Sequence, residues 1–328
     1  MKSVKELHNK FEKALSLVEF SNKPIELYEP ISYILKFGGK RARPISTLAA
    51  CEMFGGNAND AINQAIAVEI FHNFTLVHDD IMDNASLRRG KKTVHEKWDT
   101  SLAILSGDAM MILAYQYLQK SSSKLAPGTL ENLLSNFNKT AIKVCEGQQM
   151  DMNFETSHDV SLSDYLSMIK LKTAVLLGES LRVGAIMAGA NEENQHLIYD
   201  FGKDFGIAFQ IQDDILDLYG DSDKFGKQIG GDILAGKKSY LYLKALDKAD
   251  TKTKNKLTTT YYSSTLGDDE KINLVQSIFD DLDVKSSAKA EMNRYYLSAG
   301  IALSTIEIED SKKEILKGFA ENLMVRQI

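Results

Sequence analysis

The near absence of proline most constrains what this chain can fold into. Proline occurs four times in 328 residues, and residues 128–328 contain none. Because proline breaks helix interiors, this long stretch lacks the strongest helix breaker. Apolar residues recur along the chain at spacings of three and four, whereas runs that alternate apolar and polar residues are few. The sequence therefore predicts an all-α fold.

Two apolar stripes predict core helices, and clusters of turn-forming residues predict the connections between helices. One stripe runs from Ile66 to Ile81, and the other runs from Phe205 to Ile215. The polar stretch 251–270 is predicted to be a loose connection. None of the polar segments has the length and low complexity of a domain linker, so we predict one domain over residues 1–328. The predicted turns are residues 37–40, 54–59, 121–128 and 220–232.

The composition excludes several classes of protein. The chain has 45 acidic and 39 basic residues, a formal net charge of -6 and 44% hydrophobic residues. This apolar fraction is too high for an intrinsically disordered protein. The mild negative charge and the lack of interleaved aromatic and basic residues argue against nucleic-acid binding.

The cysteines and the N-terminal segment predict a cellular location. Cys51 and Cys145 form neither a disulfide framework nor a zinc motif, which predicts two buried thiols in a reducing compartment. Charged residues interrupt the first 20 residues every few positions. No apolar run comes near the roughly 18 residues of a membrane-spanning helix. We therefore expect a cytoplasmic protein without a transmembrane segment.

A short acidic motif occurs twice, as DDIMD at 79–83 and as DDILD at 213–217. On a helix, the first and fifth residues of such a motif lie on one face, one turn apart. The second aspartate lies about 100° round the helix, at the edge of the same face. The six aspartates are Asp79, Asp80, Asp83, Asp213, Asp214 and Asp217.

Such clustering of like charges needs a counter-charge. Two carboxylates about 4 Å apart repel by roughly 4 kcal/mol at an effective dielectric of about 20. Oxygen ligands without His or Cys favour Mg²⁺ or Mn²⁺ over zinc, and Mg²⁺ readily bridges to substrate phosphates. We therefore expect two facing clusters with a metal-bound diphosphate between them. A solvated acidic helix face is the alternative for either cluster alone, although both motifs follow apolar segments typical of buried helices.

Arginine is scarce in this chain and is concentrated in two short segments. Seven of the 39 basic residues are arginine, and four of these lie in GGKRARP at 38–44 and RRG at 88–90. The planar guanidinium group suits phosphate oxygens, whereas a helix-end interaction would explain only one such pair. A third basic group, Lys227, Lys237 and Lys238, follows the second aspartate motif. We expect two anionic substrates, one bound through metal and one bound directly by cations.

Together, these motifs resemble those of the trans-isoprenyl diphosphate synthases, also called polyprenyl synthetases. The resemblance implies a single bundle of antiparallel helices around a deep central cavity, the isoprenoid synthase fold, and a homodimer. Eight segments follow the family's order: GGKRARP (38–44), FHNFTLVHDDIMD (71–83), RRG (88–90), GD (107–108), EGQQMD (146–151), MIKLKTAVLL (168–177), FQIQDDILD (209–217) and GKQIGGDILAGKKS (226–239).

The resemblance also implies a reaction and a role for each residue type. An allylic diphosphate (dimethylallyl, geranyl or farnesyl diphosphate) ionises, isopentenyl diphosphate attacks the cation, and a proton is lost. The six aspartates would hold Mg²⁺, or Mn²⁺, on the allylic diphosphate. Direct contacts to that diphosphate would come from Arg88, Lys172, Lys237 and Lys227. The implied catalytic set is Arg88, Lys172 and Lys237 with Thr173 and Gln210, whose dipoles would face the cation; isopentenyl diphosphate would bind to Lys40, Arg43, His72 and Arg89.

The residues before the first motif bear on product length. In the family, length depends on what blocks the cavity below that motif. Phe74 and Thr75 lie five and four residues before Asp79, which is about 6 to 7.5 Å deeper along a helix. This pair resembles short-chain enzymes that make geranylgeranyl diphosphate, with farnesyl diphosphate as the next candidate. Thr75 lies closer than Phe74 to the Asp79 face, so other helices could contribute to the floor.

A terpene cyclase of the same fold and a non-catalytic partner subunit are the alternatives. A cyclase needs only one diphosphate site and carries Asn, Ser or Thr with Glu in its second motif, which DDILD and GGKRAR disfavour. A partner subunit tends to lose one aspartate motif, whereas both are intact here. A metal-dependent phosphohydrolase around His78 and Asp79 would need further histidine ligands.

Overall fold

The structure is a computed structural model that describes residues 3–20, 23–120, 125–157, 159–220 and 229–324. One hairpin of two-residue strands, β1 (Leu87–Arg88) and β2 (Lys91–Lys92), is the only sheet in these ranges, so the all-α prediction is confirmed. A π-helix covers Lys170–Ala174. The α-helices are α1 (Val4–Ser16), α2 (Ile25–Leu35), α3 (Ala42–Met53), α4 (Ile62–Met82), α5 (Val94–Lys97), α6 (Thr100–Gln119), α7 (Thr129–Thr156), α8 (Leu162–Ile169), α9 (Val175–Met187), α10 (Glu192–Tyr219), α11 (Gly231–Leu234), α12 (Tyr240–Lys248), α13 (Thr251–Tyr261), α14 (Asp268–Asp281), α15 (Val284–Thr305) and α16 (Asp310–Met324).

The chain forms two compact units. Unit 1 comprises Met1–Ala141, Leu176–Tyr199 and Thr305–Gly318. Unit 2 comprises Ile142–Val175, Asp200–Ser304 and Phe319–Ile328. The first aspartate motif therefore belongs to unit 1 and the second to unit 2. The expectation of a single domain over residues 1–328 stays a prediction.

The core of unit 1 contains α4, which is buried along most of its length. Edge-to-face aromatic pairs join Phe74 to Phe71, Phe71 to Phe137, and Phe137 to Tyr115, with ring centroids 5.1 to 5.4 Å apart. Such pairs add to the free energy gained from burying the rings. The aspartate motif at the end of α4 thus rests on a rigid helix.

The core of unit 2 contains α10 and the helices packed against it. Ile207, Ile211 and Ile215 recur every four residues and are buried in one cluster with Tyr261 and Phe279. This spacing places one face of α10 in the core. The predicted stripe from Phe205 to Ile215 is confirmed as a core helix, and it carries the second motif.

Two motif glycines are explained by close helix packing. Within unit 1, a Cβ atom at Gly107 of α6 would overlap the ring of His78 on α4. Within unit 2, a Cβ atom at Gly147 of α7 would overlap the backbone nitrogen of Lys172 in the π-helix. Gly147 of EGQQMD therefore lets the backbone of the π-helix approach α7, and Gly107 of GD leaves room for the His78 ring.

One predicted loose connection is helical in its first half. Thr251–Tyr261 forms α13, and α14 begins at Asp268. The side chain of Asp250 caps α13 by accepting a hydrogen bond of 2.7 Å from the Thr253 N–H. Leu257 and Tyr261, four residues apart, are fully buried. Capping and two apolar anchors outweigh the polar composition of this stretch.

Two expectations about the surface also differ from the structure. Helix α6 is long and apolar enough to cross a membrane by length and composition, although the core helix of a soluble protein passes the same test. Cys51 is buried as expected, but Cys145 is exposed. Cys145 follows Val144, which takes the inward position of this turn of α7. The prediction of two buried thiols is wrong for Cys145.

Candidate active site

The end of α4 turns the chain so that the arginines of RRG come back toward the first aspartate motif. Asn84 adopts a left-handed conformation (φ 49°), and the N–H of Ala85 donates to the Asp80 carbonyl at 2.9 Å. This arrangement is a Schellman-type helix end. The hairpin that follows turns at Arg89 and Gly90, which both have positive φ as a tight two-residue hairpin requires.

The three aspartates of the first motif have different environments. Asp79 is partly exposed and Asp83 is exposed, whereas the side chain of Asp80 is 1% exposed. Arg88 donates to Asp80 Oδ1 through Nε at 2.8 Å and through Nη2 at 2.7 Å, and its Nη2 lies 3.3 Å from Asp79 Oδ2. The accessible face of the motif is thus formed by its first and fifth residues.

Burial and charge act in opposite directions at this aspartate–arginine pair. Burial raises the pKa of the Asp80 carboxyl, although Arg88 acts to lower it. Burial acts to lower the pKa of Arg88, but the charges of the three aspartates outweigh this effect and raise it. The ion pair therefore keeps Arg88 charged and oriented beside Asp79.

A second group of cations in unit 1 surrounds the glycine turn before α3. Gly38 and Gly39 both have positive φ (68° and 127°), which favours glycine at these positions. The Arg89 guanidinium donates to the Gly38 carbonyl, and a Cβ atom at Gly39 would overlap this guanidinium. Lys40, which follows the turn, is exposed. The structure thus brings the GGKRARP and RRG segments together.

Arg43 and His72 complete this group. Arg43 Nη1 lies 3.2 Å from His72 Nε2. Burial, and then the charges of Arg43 and neighbouring arginines, lower the pKa of His72 well below its usual value, so the imidazole is neutral and Nε2 accepts from Arg43. Burial also lowers the pKa of Arg43 to about 10, and its Nε atom is buried with no hydrogen-bond partner among the described residues. This group can bind an anion directly.

The second motif shows the same pattern of burial in unit 2. Asp213 and Asp217 are partly exposed, whereas Asp214 is 6% exposed. Asp214 Oδ2 accepts from the Tyr165 hydroxyl at 2.6 Å and from the Tyr240 N–H at 2.8 Å, and its Oδ1 accepts from Gln210 Nε2 at 3.3 Å. These three partners are formally neutral. Gln210 is therefore held by the motif itself.

Asp232 is an acidic neighbour of the second motif that the sequence analysis missed. Its N–H donates to Asp217 Oδ2 at 3.0 Å at the beginning of α11. Burial, and then the charge of Asp232, raise the pKa of Asp214 to about 7. The signal was present in the sequence, because Asp232 lies in the GKQIGGDILAGKKS segment. This side of the second cluster is thus more acidic than DDILD alone suggests.

Lys172 and Thr173 lie in the π-helix rather than in a regular α-helix. Such wider turns occur frequently at functional sites. Lys172 Nζ lies 2.6 Å from Asp151 Oδ2, and both side chains are partly exposed. Asp151 is the last residue of the EGQQMD segment, for which the sequence alone indicates no role. In the structure, the EGQQMD segment positions Lys172, because its glycine packs against the Lys172 backbone and its aspartate contacts the Lys172 side chain.

The remaining predicted residues lie as follows. Lys237 is exposed, and its carbonyl accepts a hydrogen bond of 2.6 Å from Tyr261. Phe74 is 8% exposed and contacts the ring of His78 at a centroid distance of 4.9 Å. Thr75 is partly exposed, and its hydroxyl donates to the backbone of its own helix. Lys227 lies outside the described residues.

The donors of both motifs suit a hard cation that also binds substrate. Among the described residues, no three His, Cys, Asp or Glu side chains converge as a preformed metal centre. Mg²⁺ commonly uses one or two carboxylates, several waters and substrate phosphates. The accessible pairs Asp79/Asp83 and Asp213/Asp217 supply carboxylate oxygens of this kind, so the residues fit such a partial metal site.

Comparisons with known proteins show what the chain is similar to. The polyprenyl synthetase family model matches residues 24–279. A geranylgeranyl pyrophosphate synthase from Geoglobus acetivorans is 43% identical over 225 residues, 69% of this chain and 70% of that protein. A geranylfarnesyl diphosphate synthase from Natronomonas pharaonis is 38% identical over 242 residues, 69% of this chain and 70% of that protein. A crystal structure of a geranylgeranyl pyrophosphate synthase superposes with a TM-score of 0.93 at 44% identity and covers 100% of both chains.

Proposed function

The chain belongs to the polyprenyl synthetase family, and we propose that it condenses isopentenyl diphosphate with an allylic diphosphate in a Mg²⁺-dependent reaction. The observation that carries the proposal lies on α4. This helix presents an aspartate–arginine group at its end and contributes His72 to a separate cation group. Two neighbouring anion sites of different chemistry are what a reaction between two diphosphates needs.

We assign the metal sites to the accessible aspartates. Asp79 and Asp83 in unit 1 and Asp213 and Asp217 in unit 2 would hold Mg²⁺, with Mn²⁺ as a substitute. Asp80 and Asp214 complete the two acidic groups from their buried positions. Members of the family generally depend on divalent metal. When bound, the metal neutralises the negative charge that develops on the leaving diphosphate.

Arg88, Lys172 and Lys237 are assigned to the allylic diphosphate, with Lys227 as a further contact. Arg88 is oriented by its two bonds to Asp80, so its remaining donors are fixed before substrate arrives. Lys172 is oriented by Asp151 in the same way. These cations stabilise the diphosphate as the carbon–oxygen bond breaks. Thr173 and Gln210 would turn their oxygen dipoles toward the allylic cation, which needs stabilisation without capture.

Lys40, Arg43, His72 and Arg89 are assigned to isopentenyl diphosphate. His72 is neutral, so it accepts one hydrogen bond from Arg43 and can donate another from its second ring nitrogen. Arg43 contributes its guanidinium group, which lies against His72, to the same cation group. The departing diphosphate can take the proton that is lost, so no strong side-chain base is needed.

Geranylgeranyl diphosphate is the proposed main product, with farnesyl diphosphate next. Phe74 is nearly buried and is backed by Phe71 and then Phe137. The substitution Phe74→Ala removes the first ring of this stack and should lengthen the products. Chromatography of the dephosphorylated products measures this, and an unchanged product distribution would contradict the role of Phe74.

The test of the overall function is incubation with Mg²⁺, labelled isopentenyl diphosphate and, separately, dimethylallyl, geranyl or farnesyl diphosphate. Incorporation of label into longer prenyl alcohols after dephosphorylation is the expected result. Cyclic hydrocarbon products without incorporation would indicate a terpene cyclase. No turnover with any primer would indicate a non-catalytic partner subunit.

We also propose that the enzyme is a cytoplasmic homodimer that associates through α6. Ile104, Leu105, Met111 and Ile112 recur on one face of this helix and are 37 to 58% exposed. A second copy of the chain would remove this apolar stripe from water. Leu105→Asp should shift the mass measured by light scattering from dimer to monomer. Buried Cys51 and exposed Cys145 form no disulfide, which suits a reducing compartment.

A further inference from the structure

Arg41 has a different environment from the other arginine of GGKRARP. Arg43 lies against His72, whereas Arg41 is 5% exposed and is turned away into the interior of unit 1. Arg41 also has a left-handed backbone conformation (φ 47°) immediately before α3. A non-glycine residue in this conformation needs support from its surroundings. The side chain provides that support.

The guanidinium of Arg41 joins three helices of unit 1. Its Nε donates to Glu12 of α1 at 2.7 Å, its Nη1 to Glu69 of α4 at 2.6 Å, and its Nη2 to the carbonyl of Leu35, the last residue of α2, at 2.7 Å. Burial acts to lower the pKa of Arg41, but the charges of Glu69 and Glu12 outweigh this effect and raise it. Arg41 is therefore a charged residue that links α1, α2 and α4 next to the glycine turn.

Glu69 is the member of this group that reaches the neighbouring cations. It is 4% exposed, and Asn73 Nδ2 donates to its Oε1 at 3.1 Å. Burial lowers the pKa values of Arg43 and Arg89, and the charge of Glu69 opposes this in both cases. Glu69 also lies three residues before His72 on α4, so its charge is about one helical turn from the contact between His72 and Arg43.

We propose that Arg41, Glu69 and Glu12 are positioning residues that set the affinity of the Lys40, Arg43, His72 and Arg89 group for the diphosphate of isopentenyl diphosphate. This proposal rests on the function proposed above. The physical reason is competition for Glu69. Bound to Arg41, the Glu69 carboxylate is held away from Arg43, whose donors stay directed at the substrate. Without Arg41, the buried carboxylate needs a new cation, and Arg43, which contacts His72 one turn further along α4, supplies it.

The test is a set of substitutions measured by steady-state kinetics with both substrates varied. Arg41→Met removes every side-chain donor and keeps an unbranched side chain that reaches about as far as the Nε atom of arginine. We expect it to raise the KM for isopentenyl diphosphate by about tenfold or more, because small displacements of binding groups are costly. The KM for the allylic diphosphate should change by less than about twofold. The loss of a ground-state contact raises the KM only of the substrate that made this contact.

The second arm is rescue by removal of the competing charge. In the double variant Arg41→Met/Glu69→Gln, the neutral amide no longer attracts Arg43, and the KM for isopentenyl diphosphate should return to within roughly threefold of the wild-type value. Glu12→Gln changes the partly exposed partner of Arg41, and it should raise the KM for isopentenyl diphosphate by a smaller factor. This mild variant keeps the test usable if Arg41→Met does not fold.

Arg182→Met provides the matched control in the same unit. Arg182 is 8% exposed and forms an ion pair with fully buried Glu179, so its loss tests the effect of breaking a buried pair elsewhere. It should lower the melting temperature without changing the ratio of the two KM values. Equal changes of both KM values in Arg41→Met, or a double variant worse than the single one, would overturn the proposal. A wild-type enzyme that never incorporates isopentenyl diphosphate would overturn the proposed function together with this inference.

Discussion

The two aspartate motifs have the same pattern of exposure but are held by different chemistry. In each motif the first and fifth carboxylates are accessible and the second is buried. In unit 1 the buried Asp80 is held by the charged guanidinium of Arg88. In unit 2 the buried Asp214 is held by the hydroxyl of Tyr165, a backbone N–H and an amide.

This difference shows that one helical motif can serve two local tasks. The pair of accessible carboxylates follows from the spacing of four on a helix, whatever surrounds it. The buried aspartate depends on its partner. An ion pair with arginine fixes a cation beside the site, whereas neutral donors fix only the helix and nearby side chains. The first motif therefore positions charge, and the second positions backbone and dipoles.

The largest expected effect tests what the two motifs share. Asp79→Ala and Asp213→Ala each remove an accessible carboxylate, and each should lower kcat by about a hundred- to a thousandfold, as loss of a stabilising group at a charged transition state does. Incorporation of labelled isopentenyl diphosphate at saturating Mg²⁺ measures this. The control is Asp281→Ala, an exposed aspartate at the end of α14, which should keep full activity. Near-normal turnover in either motif variant would show that the motifs are not equivalent.

The next effect tests what the motifs do not share. Asp80→Asn leaves Arg88 without its ionised partner, and kcat should fall by about 10- to 100-fold, as for partners that orient groups bound to a metal or its substrate. Asp214→Asn should have a much smaller effect, because its carbonyl can still accept from Tyr165 and from the Tyr240 N–H. Equal losses of kcat in the two asparagine variants would contradict this difference between the buried aspartates of the two motifs.

The sequence predicted the parts of this comparison that depend on local spacing. The helical setting of both motifs, the shared face of the first and fifth aspartates and the turn at Gly38 follow from periodicity and residue type, whereas the burial of the second aspartate does not. The partners of the buried aspartates do not. Tyr165 and Tyr240 lie 49 and 26 residues from Asp214, and such contacts depend on how helices pack. The residue roles at the site stay predictions.

Other misses have the same cause. The ion pair between Asp151 and Lys172 joins α7 to the π-helix, and no periodicity predicts a π-helix. The helix at 251–261 was missed because its composition is polar, and its two apolar anchors, Leu257 and Tyr261, stabilise it only once they are buried in the core. Local sequence patterns identify the segments that carry functional residues, whereas tertiary contacts orient the side chains of those residues.

A third test compares a motif glycine in each unit. At Gly147, an added Cβ would overlap the backbone of the π-helix that carries Lys172, which cannot move without shifting that segment. At Gly107, the added Cβ would overlap the end of the His78 side chain, which can rotate. Gly147→Ala should lower the free energy of unfolding by about 1 to 3 kcal/mol and reduce activity, as overpacking does. Gly107→Ala should cost less, and urea unfolding of both variants provides the comparison.

The smallest expected effect is a pH dependence in the cation-rich part of unit 1. Burial and the charges of Arg43, Arg89, Arg88 and Arg41 lower the pKa of His72 well below its usual value. At pH values below about 6.5 the unfolded chain takes up a proton at this histidine and the folded chain does not. Stability from this residue is therefore complete above pH 6.5 and falls as the pH is lowered, by about 1.4 kcal/mol per pH unit until the folded-state pKa is reached.

Urea unfolding of the metal-free protein between pH 5 and pH 7.5 measures this slope. His72→Gln should flatten it, because glutamine has no proton to take up. His196→Gln, at an exposed position on α10, should leave the wild-type slope unchanged and serves as the control. If His72→Gln kept the wild-type slope, the acid sensitivity of unit 1 would have another source. In that case the positive charges around Arg43 would not be dense enough to keep His72 neutral before the diphosphate binds.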